Sequence, residues 1–405
     1  MKNILSILMV LITFAMSQKI TIIADKLYTM SNQGNISNAQ ILINGGKIEK
    51  VGEVNSTQIP HDYKIYKTRY ATPGFIDAHA SIGLSGIFNV RGDQDLNETT
   101  NPNTADLRAI DGYNPDDELV LYALKNGITT MQVGPGPTNP IAGQAAIFKT
   151  CGKTVEEVIL KSPSGMIFNL GEYPKWTYGE NGKTPQTRMA TAAIIRKALQ
   201  EAKEYTIQRK TQNSENYSYD TKKAALAMVV NREIPAIFSC HRSDDIMTAL
   251  RIGREFGLSL ILDSVTEGYL VRDKIKKENV PVLLAPTMQR LDRIETQNSS
   301  YENPALLWDV GIQIAITSGY ESYVPKTRII SFEAGIAMAN KLPEEEALRA
   351  ITINPARIMG IDDRLGSIET GKEADIVLFD GEPLEYLTHV THVFVNGQLV
   401  YERED

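Results

Sequence analysis

The stretch TPGFIDAHASIGL, residues 72–84, decides the fold. Pro73 and Gly74 break whatever precedes them, and Phe75-Ile76 then opens a short apolar run that ends in a polar tip. That is the outline of a buried strand whose last residues reach a surface. Strict two-residue alternation would put Asp77, His79 and Ser81 on one face and Ala80 on the other. Downstream, similar runs recur: GITTMQVG (127–134), GMIFNLGE (165–172), IPAIFSCH (234–241), LSLILDS (258–264), VPVLLAPT (280–287) and IQIAITSG (312–319). Helical patterns lie between them, among them TRMATAAIIRKALQEAKEY, SDDIMTALRIGREFG and LVRDKIKKEN. Strand and helix in steady succession predict a parallel sheet. The number of runs suits an eight-stranded (β/α)8 TIM barrel, an α/β fold that carries its reactive groups at the C-terminal strand ends.

The flanks read differently. KITIIADKLYTM and AQILINGGKIEKVGE alternate apolar and polar residues around a Gly-Gly turn, and LGSIETGKEADIVLFDGEP and HVTHVFVNGQLVYE do the same near the other end. The expected organisation is a small β-sandwich composed of residues 18–70 and 365–405 beside a barrel of residues 71–364. A chain of 405 residues accommodates both. QRKTQNSENYSYD (208–220) is polar and is expected to be a surface loop, and no internal repeat is found. Ahead of all this, MKNILSILMVLITFAMSQ has Lys2, an apolar core from Ile4 to Met16, and Ala15 and Ser17 at cleavage spacing. Residues 1–17 are expected to be a secretory signal peptide, giving an exported, periplasmic or secreted protein. The apolar run is shorter than the roughly 20 residues that span a bilayer, and no later segment is apolar enough to do so. The net charge of −7, with no basic cluster carrying interleaved aromatics, argues against a nucleic-acid surface. Cys151 and Cys240 lie far apart and are expected to be unpaired thiols.

Several residues carry potential chemistry. His79 and His241 both fall at strand ends and could meet in the barrel mouth, with Ser239 sharing a face with His241 and Cys240 pointing away. Two histidines are fewer than the three protein ligands usual for catalytic zinc, so a hydrogen-bonded polar pair is the competing reading. Arg188 and Arg242 could bind a carboxylate, and surface or salt-bridged roles compete for Arg188 and for Lys161. Asp244 is a further candidate group for altered chemistry, and its competing reading is that Asp244 and Asp245, following Ser243 at a helix start, only stabilise the helix dipole. GPGPTNPIAGQAAIFKTCGKT is not a phosphate-binding loop, because Ile147 stands where the first glycine should be.

TPGFIDAH, REIPAIFSCHRSDDIMTALRIGREFGL and EEEALRAITINPARIMGIDDRLGSIETGKEADIVLFDGEPLE together resemble the amidohydrolase superfamily, and within it the imidazolonepropionase-like amidohydrolases. The resemblance implies hydrolysis of amide or cyclic-amide C–N bonds with one or two divalent metals. It also implies a set of metal positions, which this sequence departs from one by one. His79 matches the first histidine of His-x-His, and Ser81 replaces the second. In relatives the fifth strand reads His-Ala-His; here it is Ser239, Cys240, His241. Relatives carry two histidines after the sixth strand, where Ser264 and Tyr269 stand. Ser318 occupies the place of the metal-binding aspartate that serves as base, and Glu172 resembles a glutamate that bridges two metals. Zinc lowers the pKa of bound water from 15.7 to near 7, worth roughly 12 kcal/mol, and neutral serine hydroxyls do not replace imidazole or carboxylate at such a site. The expected cofactor is therefore none, or a weakly held divalent metal such as zinc, and the expected protein is catalytically impaired. Two readings stay open: a binding or partner subunit, pairing with an active amidohydrolase paralogue or with itself and able to take a small-molecule ligand; or a hydrolase of non-peptide C–N bonds with an altered metal site.

Overall fold

A computed structural model of the chain describes residues 19–211, 219–284, 287–288, 291, 293–320 and 329–404. The proposed signal peptide lies outside the described residues. Four strands come first: β1 (Ile20–Tyr28), β2 (Asn35–Asn44), β3 (Lys47–Glu53) and β4 (Lys64–Pro73). Eight barrel strands follow: β5 (Phe75–Ala80), β6 (Ile128–Val133), β7 (Ile141–Lys149), β8 (Ile159–Asn169), β9 (Ala236–Cys240), β10 (Leu260–Ser264), β11 (Val282–Leu284) and β12 (Ile314–Ile316). The chain then returns through β13 (Ile376–Phe379), β14 (Val390–Val395) and β15 (Gln398–Glu402).

The two ends of the chain build one seven-stranded sheet, ordered β15-β14-β13-β4-β1-β2-β3. It closes on its own core of Ile20, Ile22, Ile41, Ile43, Tyr66, Ile376, Leu378 and Phe394, the composite module expected of the alternating flanks. The barrel sheet runs β5 to β12 in chain order. It departs from the expected all-parallel succession in one place: β7 is antiparallel to both β6 and β8. This strand supplies the eighth member of the barrel from a segment whose residues, buried along its whole length, show no alternation. The barrel is nearly closed. Between its end strands, Gly319 N–H donates to His79 O at 2.7 Å and Ser318 N–H donates to the Asp77 carboxylate.

Two apolar layers fix which side chains reach the mouth. Ile76, Ala78, Ile147, Ile237, Ile261, Leu283 and Ala315 fill the barrel interior, where Ala356, Met359, Ile361 and Leu365 cap them. The residues between them, such as Ala236, Phe238, Cys240 and Leu262, pack outward against the helices. Phe168 and Phe238 stack there at 4.7 Å between ring centroids, and full burial of each side chain contributes about 1.5–3 kcal/mol. On β5 the strict alternation fails. The register slips between Phe75 and Ile76 and again between Asp77 and Ala80, so Ala78 joins the interior while Ala80 joins the outer layer. The expected loop at 208–220 is corrected in part: the helix Arg188–Thr211 carries Gln208 to Thr211, and residues 212–218 lie outside the described residues. Cys151 and Cys240 are free.

Candidate functional site

The C-terminal ends of the barrel strands carry a polar network. His79, at the end of β5, pairs through Nδ1 with Asp263 Oδ1 at 2.8 Å. Asp263 lies in register with Ser239 on the neighbouring strand. Ser239 Oγ and Ser264 Oγ are 3.1 Å apart, and Ser264 Oγ donates to Asp263 Oδ2 at 3.1 Å. Ser318 donates its hydroxyl to Asp77 Oδ2, and His79 N–H donates to Asp77 Oδ1 at 3.1 Å. His241 binds Thr266 Oγ1 through Nδ1 at 2.7 Å. Tyr320 meets the His79 ring edge-on at 4.2 Å and donates its hydroxyl to Asn169 at 3.0 Å.

Charge in this mouth is held unevenly. Burial pulls the His79 imidazolium down, but Asp263 beside it outweighs burial and leaves the pKa above its ordinary value. Among the described residues His241 has no carboxylate partner; burial, then the Arg293 charge, push its pKa down to about 3. Burial raises Asp77 to about 6 against the hydrogen bonds from Ser318 and His79. Ser264 and Val265 hold φ of 73° and 36°, a conformation that side chains with Cβ rarely adopt and that stores strain at the mouth.

A second cluster sits on the rim formed by β8, β9 and the segment after β11. Glu172 opens the helix Glu172–Gly179 and is buried. Its backbone N–H donates to Glu295 Oε2 at 3.0 Å. Gly171 turns there with φ 89°, and a Cβ at that position would meet Glu295 Oε2 at 2.4 Å, so only glycine lets the two segments approach. Arg188 Nε donates to the buried Asp245 at 2.9 Å. Arg293 Nη1 donates to Glu295 Oε1 at 3.0 Å. Burial raises Glu295 to about 7, opposed first by Arg293.

The network therefore brings together His79, Ser239, Ser264 and Ser318, while Glu172 and Arg188 belong to the rim. Arg242 is paired in both directions of its fork with its neighbour Asp244, at 3.0 and 3.1 Å. Lys161 stands near the opposite end of the barrel and donates to Met359 O at 2.9 Å. Cys240 lies in the outer apolar layer, where burial raises its thiol pKa. Asp245, read from sequence only as a helix-start charge, is the partner of Arg188. Asp263 and Glu295 were not singled out by the sequence either. The register of Asp263 with Ser239 across two adjacent apolar runs is a signal that could have found it; nothing local marks Glu295.

The donor set does not fit a catalytic zinc. His79 Nε2 is buried without a hydrogen-bond partner, which suits a ligand atom. Yet among the described residues no group of three or more His, Cys, Asp or Glu side chains is disposed to hold a metal ion. Hydroxyls stand at the remaining positions, and Asp263 and Asp77 spend their oxygens on His79, Ser264 and Ser318.

Architecture and mouth together define an α/β-barrel scaffold that carries its polar network at the strand ends, beside a composite sheet from the two flanks. A model of the Amidohydrolase family matches residues 70–400, and the chain belongs to that family. A crystal structure of an amidohydrolase from Thermotoga maritima MSB8 superposes with a TM-score of 0.90 at 34% identity, covering 95% of this chain and 100% of that one. The chain is 24% identical over 391 residues to amidohydrolase tasK of Hapsidospora irregularis, covering 89% of this chain and 40% of tasK. It is 22% identical over 397 residues to the imidazolonepropionase of Thermoplasma acidophilum, covering 91% and 90% of the two. The chain thus spans well under half the length of tasK, and its match to the imidazolonepropionase of Fusobacterium nucleatum covers 25% of that protein.

Proposed function

We propose that this chain is an amidohydrolase-family protein that has given up metal-dependent C–N bond hydrolysis and uses its barrel mouth to bind a small molecule, as a partner subunit or as a homo-oligomer. The observation that carries the reading is the closed exchange of hydrogen bonds among Asp77, His79, Asp263, Ser264 and Ser318. Serine hydroxyls here satisfy carboxylates internally, where a hydrolase would need them to hold metal or to accept a proton from water. Ser318 in particular is neutral, and it donates to Asp77 where a base would accept. Without the lowered pKa of a metal-bound water, the ancestral step loses roughly 12 kcal/mol of activation. Export is part of the proposal and rests on the sequence of residues 1–17. Among the described residues no helix is long and apolar enough to cross a membrane.

The test is turnover. The purified chain, supplied with zinc and a panel of dipeptides, N-acyl amino acids and cyclic amides, is expected to release no product above the buffer rate. Metal-dependent turnover that disappears in His79→Gln would overturn the proposal.

A further inference from the structure

Three buried carboxylates meet at the rim, and two of them have their own arginine. Asp245 has Arg188, and Glu295 has Arg293. The nearby Arg242 is committed to Asp244. Glu172 has none. It is only 5% exposed, and its Oε2 is buried without any hydrogen-bond partner. Buried carboxylates are ordinarily paired or hydrogen-bonded, so an unpaired one needs an explanation. The same Asp245 Oδ2 that accepts from Arg188 lies 3.5 Å from where a Gly171 Cβ would stand, which sets the cluster around the turn leading into Glu172. The surroundings suit a cation. The Arg293 guanidinium already lies over the Tyr173 ring at 4.6 Å, and Trp176, partly exposed, stands edge-on to that ring at 5.9 Å. Aromatic faces of this kind attract ammonium and guanidinium groups.

We propose that Glu172 is the anchor of a binding site for a small organic cation, a primary ammonium or guanidinium compound, seated at the rim of the barrel mouth. The inference rests on the reading of the mouth as a binding site. The cation supplies Glu172 with the donor that Arg188 and Arg293 supply to its neighbours. A divalent metal is the poorer candidate, because two of the three carboxylates are already held by Arg188 and Arg293 and no group of three among the described residues is disposed to hold a metal ion.

The experiment is calorimetric titration of the full chain with agmatine, and with succinate as an anion of similar size. Agmatine is expected to bind saturably and succinate not at all. Glu172→Gln is expected to weaken agmatine at least about tenfold, the loss of one charge-assisted contact. Its melting temperature should equal or exceed that of the unliganded wild type, since the buried Oε2 makes no hydrogen bond in the free protein. Absence of saturable agmatine binding, equal binding by Glu172→Gln, or a markedly lower melting point for that variant would each overturn the proposal. Zinc-dependent amide turnover would sink the non-hydrolytic reading instead, and it is measured without agmatine.

Discussion

The two ends of the barrel handle buried charge in opposite ways. At the end facing the composite sheet, Lys149 donates to Asp375 at 2.6 Å and lies 3.0 Å from Glu373, with Asp375 also accepting from Asn396 N–H at 2.9 Å. That cluster ties β7 to the returning C-terminal segment, and its cation comes from the chain itself. In that cluster Glu373 Oε2 makes no hydrogen bond but lies against the Lys149 ammonium, whereas at the mouth His79 Nε2, Ser81 Oγ, Glu172 Oε2 and Arg188 Nη2 are buried without a hydrogen-bond partner. Each such atom costs about 1–3 kcal/mol, and four of them gather at the mouth and its rim. The Lys149 end thus ties two modules together with a cation of the chain's own, whereas the mouth holds unpartnered polar atoms that a bound molecule, as proposed above, would satisfy.

The comparison can be broken at either end. The largest effect is expected from Lys149→Met, which leaves the buried Asp375 without its cation and Glu373 with Arg364 alone. Urea unfolding should show a loss of about 3–5 kcal/mol; a loss within experimental error would mean that the Lys149 cluster does not lock the two modules. His241 comes next. Its folded pKa of about 3 lies below the ordinary 6.5, so its contribution is complete above pH 6.5 and is lost as pH falls. By pH 5 that loss is about 2 kcal/mol. Asp77 and Glu295, raised to about 6 and about 7, act in the opposite sense: their contribution is present at low pH and is lost as pH rises through those values. The difference between wild type and His241→Gln isolates the histidine, and the variant should lose less stability between pH 7 and pH 5. Identical pH profiles would show that His241 is not held neutral. The smallest effect is expected from Ser318→Ala. Asp77 keeps the backbone N–H donors of His79 and Ser318, so the lost hydroxyl should cost about 1 kcal/mol, at the low end for such a bond. A gain in stability on melting would show that the hydroxyl is not the donor Asp77 relies on.

Much of the fold could be read from the sequence because each element declares itself locally. The apolar runs ending in Ser239-Cys240-His241 and Asp263-Ser264 lie where the strands are, and the alternating flanks pair as one module. The antiparallel β7 could not, since strand direction depends on which neighbours it pairs with and its sequence, buried along the whole length without alternation, is silent on that. On β5, strict alternation misplaced Ala78 and Ala80 relative to each other because register slips leave no mark in one strand's sequence. Of the site, His79 and His241 were visible as retained histidines at strand tips, and the serines as departures beside them. Their partners were not. The bonds His79–Asp263, Asp77–Ser318 and Arg188–Asp245 join residues 184, 241 and 57 positions apart, and no local pattern encodes them.

The central claim is that the scaffold of a metal hydrolase is intact and only its ligands are missing. Restoring them tests it most directly. Ser81→His, Ser239→His and Ser318→Asp in one chain would add three ligands to His79 and His241, enough for a closed zinc site. Ser264 is left alone, because its φ of 73° disfavours a large side chain. Elemental analysis after dialysis against zinc-free buffer is expected to find about one zinc per chain of the triple variant and well below one in wild type. One zinc held per wild-type chain would contradict the account, since the hydroxyls and the committed carboxylates of the mouth would then be serving as a metal site after all.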